Sequence, residues 1–186
     1  MASQGPNNPG TTSDDNSVGA FPWASPNNAQ VADGTYASVN MSVGCFPAGT
    51  MITLANGSKP IEQIQVGDMV RTLYTDDGSD SIRAYPIIAT KKRKDITLIR
   101  FTLSNGYSVQ STPLHPFFEA TQRIFMGAEE FAVGDSMGTF NKRGKVDCHK
   151  IVRIERIDFA EPIDVYETTV DEDHTYFVNG IAVHNY

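Results

Sequence analysis

From Thr50 to His184 the chain alternates apolar and polar residues in short runs, and the runs end at turn residues. Period-two alternation puts successive side chains on opposite faces, which is the pattern of β-strands. Three Asn-Gly pairs punctuate it, at Asn56-Gly57, Asn105-Gly106 and Asn179-Gly180. Asn-Gly between apolar runs is the strongest short-range hairpin signal, because a tight type I′ turn needs two residues with positive φ. The pairs predict three hairpins: TMITL with the segment ending VGDMVRTLY, ITLIRFTL with YSVQST, and HTYFV with IAVH. Within ITLIRFTL both alternating sets, Ile96-Leu98-Arg100 and Thr97-Ile99-Phe101, contain bulky apolar residues, so this strand is expected to be partly buried on both faces. Helix-period segments are few and short, IEQI and AEEF being the best. The pattern predicts an all-β fold.

A gapless echo runs through the chain. IEQIQVGDM (61–69) and AEEFAVGDS (128–136) share Glu, Val, Gly and Asp at matched positions, and each precedes a strand-rich stretch. Two related halves facing each other are the expectation. Residues 1–44 stand apart: they hold no Lys, Arg or His and are dominated by Asn, Pro, Gly, Ser, Thr and Ala. With so few bulky aliphatic residues, this segment is read as a flexible leader. The expected organisation is therefore a leader over 1–44, a folded domain over 45–185, and a single flanking residue, Tyr186.

Composition narrows the partners. A net charge of -7 argues against nucleic acid, whose phosphates require a basic face. The one basic cluster, Lys91-Lys92-Arg93-Lys94, is read as a solvated turn. No apolar run approaches the roughly 20 residues of a membrane helix, and the N-terminus lacks the parts of a secretory signal, so a cytoplasmic location is the default. Cys45 and Cys148 form no CxxC, and Cys148 and His149 would face opposite ways on a strand. Reduced thiols, no metal and no cofactor are expected, in a monomer.

Chemistry concentrates at two bonds. Cys45 follows Gly44 at the junction of leader and domain. A lone cysteine is ordinarily a small buried hydrophobe. At a junction it is also placed to attack the carbonyl before it, through a five-membered transition structure. Such an N-to-S acyl shift needs a proton delivered to the departing nitrogen, and His115 is a natural donor. Thr112, across the Pro113 turn, would orient the imidazole or hydrogen-bond the oxyanion. At the other end, Asn185 can close on its own carbonyl as a succinimide and release Tyr186, with His184 and His174 as base and acid. Three of the four histidines thus flank the two candidate bonds, His149 being the exception.

Taken in order, CFPAGT with TMITLANGSKPIEQIQVGDMV, GYSVQSTPLH and VYETTVDEDHTYFVNGIAVHN resemble the motif blocks of Hint domains, the fold shared by inteins and hedgehog autoprocessing domains. The match runs from Cys45 to Asn185. The resemblance implies a horseshoe of long strands with pseudo-two-fold symmetry, in which Cys45 and Asn185 meet. It is closest to bacterial intein-like domains or mini-inteins without a homing endonuclease. It implies catalytic roles for Cys45, Thr112, His115, His174, His184 and Asn185. Many inteins have Asp where this chain has Glu167, whose carboxylate would assist the cysteine or couple the steps. They also need Cys, Ser or Thr at the position of Tyr186, whose hydroxyl lies at the far end of a rigid ring. The resemblance therefore implies single-turnover self-processing, mainly cleavage, with splicing only by amine attack on the thioester. The partners are the chain's own flanking segments and a small thiol or amine. Two other readings remain open: hedgehog-like acyl transfer to an external nucleophile, and a non-catalytic binding or pretoxin module on the same scaffold.

Overall fold

The computed structural model describes residues 44–76 and 79–185. The expected leader and Tyr186 lie outside the described residues, Gly44 excepted. Twelve strands make one antiparallel sheet system: β1 (Phe46–Pro47), β2 (Met51–Thr53), β3 (Ser58–Pro60), β4 (Met69–Asp76), β5 (Ser79–Leu103), β6 (Ser108–Ser111), β7 (Pro116–Glu119), β8 (Ile124–Gly127), β9 (Ser136–Phe140), β10 (Val146–Val170), β11 (Thr175–Val178) and β12 (Ile181–His184). Among the described residues there is no α-helix; IEQI and AEEF form 3-10 turns over Ile61–Gln63 and Ala128–Glu130. The all-β architecture is as the alternation predicts, and the long strands are as the resemblance implies.

Two strands of 25 residues, β5 and β10, pair with each other along most of their length and organise the rest. A strand of this length pairs with different partners along its course. β5 starts against β4, runs along β10 and ends against β6, whereas β10 starts against β9 and takes β1 near its end. Shifts in register at Asp158/Ile163 mark where the β5–β10 ladder bends.

The echo seen in nine residues extends through the backbone. Cys45 and Thr112 are 67 residues apart, and the same offset carries β5 onto β10 and β6 onto β11, end to end. The two echo segments make matching bonds. Gln65 and Ala132 donate N–H to the carboxylates of Asp68 and Asp135, and Gly67 and Gly134 donate to the carbonyls of Ile87 and Ile151. Gly67 and Gly134 both have positive φ, 94° and 103°, which explains the glycine shared by the pair. The pseudo-two-fold symmetry therefore extends well beyond the nine-residue echo.

Two of the predicted hairpins form as expected. Asn105-Gly106 joins β5 to β6, and Asn179-Gly180, with φ of 46° and 79°, joins β11 to β12. The remaining one is shorter than predicted. Asn56-Gly57 joins β2 to β3, and the segment VRTLY instead pairs with the start of β5, meeting the TMITL run only at a Leu54–Val70 bridge. The Lys91–Lys94 run is no turn: it lies inside β5, paired with Asp164–Glu167 of β10. The main core gathers Phe46, Ile52, Phe101, Phe117, Tyr176 and Ile181, all fully buried. Phe46 and Phe117 meet edge-on, as do Phe101 and Phe117, so the two halves interlock through aromatic rings.

Candidate functional site

The chain's first candidate bond is buried beside this core, in a separate apolar cluster. Cys45 is 1% exposed and packs with Leu98 and Val165. Its backbone N–H, the nitrogen of the Gly44–Cys45 bond, donates to Thr112 Oγ1 at 2.9 Å, and the Thr112 N–H donates back to the Cys45 carbonyl at 2.9 Å. The threonine hydroxyl therefore accepts from the nitrogen of the candidate bond, a contact beyond the two expected of it. Pro113 turns the chain after Thr112, and the His115 N–H closes that turn on the Thr112 carbonyl. The imidazole lands against Phe46, ring centres 4.1 Å apart, and against Phe117. It also abuts the Gly44 backbone so closely that a Cβ on Gly44 would overlap Nδ1. This packing accounts for glycine at position 44.

Burial sets the protonation states. It pushes the Cys45 thiol up to about 12, with Glu167 and Asp95 acting in the same direction and Arg93 and Lys91 opposing them. Burial also lowers His115 to about 3; contact with the Gly44 backbone opposes this, and nearby His184 adds to it. Both groups rest neutral at pH 7. Glu167 is buried and stands on the Cys45 face of β10, its Oε2 3.4 Å from Arg93 Nε.

Asn185, the last described residue, lies near this first site. Val183 of β12 pairs with Phe117 of β7, and continuing that register brings Asn185 level with His115. Asn185 is 4% exposed, its N–H donates to the His174 carbonyl at 2.7 Å, and its Oδ1 accepts from the Val170 N–H at 3.1 Å. Fixing the amide oxygen fixes the plane of the carboxamide and hence the position of its nitrogen. His174 holds a left-handed backbone, φ 51°, where the chain turns into β11. The His174 and His184 rings are 6.3 Å apart. His184 is lowered to about 4 by burial first and His174 second, with the Asn185 backbone opposing.

The structure thus gathers Cys45, Thr112, His115 and Glu167 about the Gly44–Cys45 bond, and sets His174 and His184 beside Asn185. No group of three His, Cys, Asp or Glu side chains converges on a metal site among the described residues. None of the helices among them is long and apolar enough to cross a membrane. Cys148 is exposed on β10 and belongs to neither cluster. Arg93 beside Glu167 is not among the expected site residues; the alternation within KKRK, which sends Lys91 and Arg93 to one face of β5 and Lys92 and Lys94 to the other, is the signal for it.

The model of the pretoxin HINT domain family matches residues 51–186. The chain belongs to that family. The HINT domain is similar to the solution structure of a bacterial intein-like domain from Clostridium thermocellum, at 31% identity and a TM-score of 0.66, over 76% of this chain and 98% of that one. It also shares its fold with a DnaB intein from Synechocystis sp. PCC 6803, at 16% identity and a TM-score of 0.68, over 77% and 99% of the two chains. An intein from a hyperthermophile has the same fold at 18% identity, with a TM-score of 0.64 and coverage of 76% and 99%. No curated protein gives a match. A HINT domain with intein-like architecture is an autoprocessing scaffold, acting on its own flanking segments.

Proposed function

We propose that the chain cuts itself at the two bonds flanking the domain. At the first, Cys45 Sγ bonds to the Gly44 carbonyl carbon, the carbon–nitrogen bond to Cys45 breaks, and one proton moves from sulfur to the freed nitrogen. In this reading Glu167 accepts the thiol proton and His115 delivers one to the nitrogen; the Cys45–Thr112 bond, the packing of His115 on Gly44 and the Cys45–Glu167 register support it. A thiol, an amine or water then takes the acyl group from the thioester and releases residues 1–44. At the second, Asn185 Nδ2 attacks its own carbonyl carbon, the bond to Tyr186 breaks, and a succinimide forms. His184 and His174 serve as the base for the amide and the acid for the departing amine.

The reciprocal hydrogen bonding of Cys45 and Thr112, with His115 pressed on Gly44, is the observation that carries this reading. Intact mass followed over time, with and without added thiol, tests it. Loss of a terminal tyrosine and thiol-dependent loss of the leader are expected. Asn185→Ala should keep the tyrosine and Cys45→Ala the leader; cleavage that ignores either substitution rules out that half.

The neutral resting states of Cys45 and His115 favour a second reading, a stable module that keeps the scaffold without cutting. A chain that stays intact for days in thiol at neutral pH would select it.

A further inference from the structure

Lys91-Lys92-Arg93-Lys94 runs through the middle of β5, and strand alternation sorts its charges onto two faces. Lys92 and Lys94 both reach Asp164, at 2.7 and 2.9 Å, on one face. Lys91 and Arg93 take the other. In the β5–β10 ladder Arg93 stands opposite Val165, and Lys91 opposite Glu167. On the far edge of β10, Phe46 stands opposite Tyr166 and Pro47 opposite Val165, so one step further brings Cys45 beside Glu167. Directly opposed residues share a face. Arg93, Lys91, Glu167 and Cys45 therefore stand on the same side of three adjacent strands. Val165, between them, lies in the same buried cluster as Cys45.

Within that row one contact is specific. Arg93 Nε lies 3.4 Å from Glu167 Oε2, and the Glu167 side chain is only 6% exposed. A buried carboxylate needs a partner to remain charged, and a guanidinium keeps its charge throughout the physiological range. The charged groups acting on the Cys45 thiol are Glu167 on β10 and Arg93, Asp95 and Lys91 on β5. When the thiol gives up its proton, negative charge appears at sulfur in an apolar cluster, and a nearby cation stabilises it.

We propose that Arg93 is a positioning residue for the acyl-shift site: its guanidinium anchors the Glu167 carboxylate beside Cys45 and supplies positive charge where the thiolate forms. The inference rests on the reading of Cys45 as the nucleophile. It also gives half of the basic run a chemical task, with Lys92 and Lys94 left to an ion pair on the opposite face.

The test uses the full 186-residue chain. In thiol, Arg93→Gln should slow leader release about ten-fold or more, the factor expected for a one-unit change in ionisation. Arg93→Lys should recover part of the loss, and tyrosine release should stay at the parental rate. On a Glu167→Gln background, Arg93→Gln should add much less than it does alone. Equal slowing of both cleavages, or none, overturns the proposal.

A second measurement does not depend on cleavage. In a Cys148→Ser chain, alkylation of Cys45 by iodoacetamide at pH 8 reports how readily its thiolate forms. Arg93→Gln should slow it and Glu167→Gln should speed it, because the two charges act on sulfur with opposite sign. If both variants speed alkylation, they merely loosen the site and the proposal fails. If the parent chain releases no leader in thiol, the cleavage reading fails by itself, and the opposed alkylation rates still decide the role of Arg93.

Discussion

Cys45 and Thr112 hold each other across the pseudo-two-fold axis. They occupy equivalent positions, 67 residues apart, in the two halves, and each backbone N–H is satisfied by the other residue. The asymmetry lies in the acceptors: Thr112 receives a main-chain bond, whereas Cys45 donates its N–H to a side-chain oxygen. The two halves make a near-symmetric cradle, in which one side-chain hydroxyl accepts from the nitrogen of the Gly44–Cys45 bond.

Thr112→Val keeps the volume of that side chain and removes the acceptor. The Cys45 N–H is then buried without its partner, which costs about 1–3 kcal/mol of stability. The expected outcome is a folded, less stable chain whose leader release in thiol slows at least several-fold, while tyrosine release is unchanged. A urea titration with intact mass on the same samples separates the two effects. Unaltered leader release would show that the hydroxyl only holds the backbone.

Gly44→Ala tests the close approach of the scissile peptide to His115. A methyl group there overlaps Nδ1 and crowds the His115 backbone, so the imidazole or the peptide must shift. Because misplacement by about 1 Å can cost roughly a hundred-fold in rate, a large loss of leader release is expected with little change at Asn185. Equal rates for the variant and the parent chain would mean that the contact opens before reaction.

Much of this arrangement could be read from residues alone, and the reason differs from case to case. The β11–β12 hairpin was legible because Asn179-Gly180 demands two left-handed residues, a local requirement. Cys45, Thr112, His115, His184 and Asn185 could be singled out because the chemistry proposed for them depends on position relative to a bond. The basic run was misread as a turn because four charges in succession look solvated. Only the register with β10 reveals that Asp164 neutralises two of them and Glu167 faces another. The full extent of the repeat was hidden for a similar reason. Strands constrain only alternation, so sequence drifted while the 67-residue spacing of elements stayed.

The two thiols should behave differently toward a small disulfide reagent. Cys148 is exposed, and Cys45 is 1% exposed with its thiol pushed up by burial. In native conditions at pH 8, one thiol per chain should react within minutes and the second far more slowly. Both should react quickly in denaturant, and Cys148→Ser should remove the fast phase alone. A fast phase that survives Cys148→Ser would mean that Cys45 is open to solvent.

The buried histidines tie stability to pH. An unfolded histidine takes up a proton near 6.5, whereas His115 in the folded chain does so only near 3 and His184 near 4. Between those limits the unfolded state binds more protons, so stability falls as the pH drops. It is fully present above about 6.5 and progressively lost toward the folded values. At pH 5 the linkage amounts to about 2 kcal/mol for each group. The urea midpoint between pH 7 and pH 5 reads this loss. His184→Gln should flatten the decline by about half, and His115→Gln should do the same if it folds. A midpoint independent of pH over this range would mean that both imidazoles take up protons in the folded chain as readily as in the unfolded one.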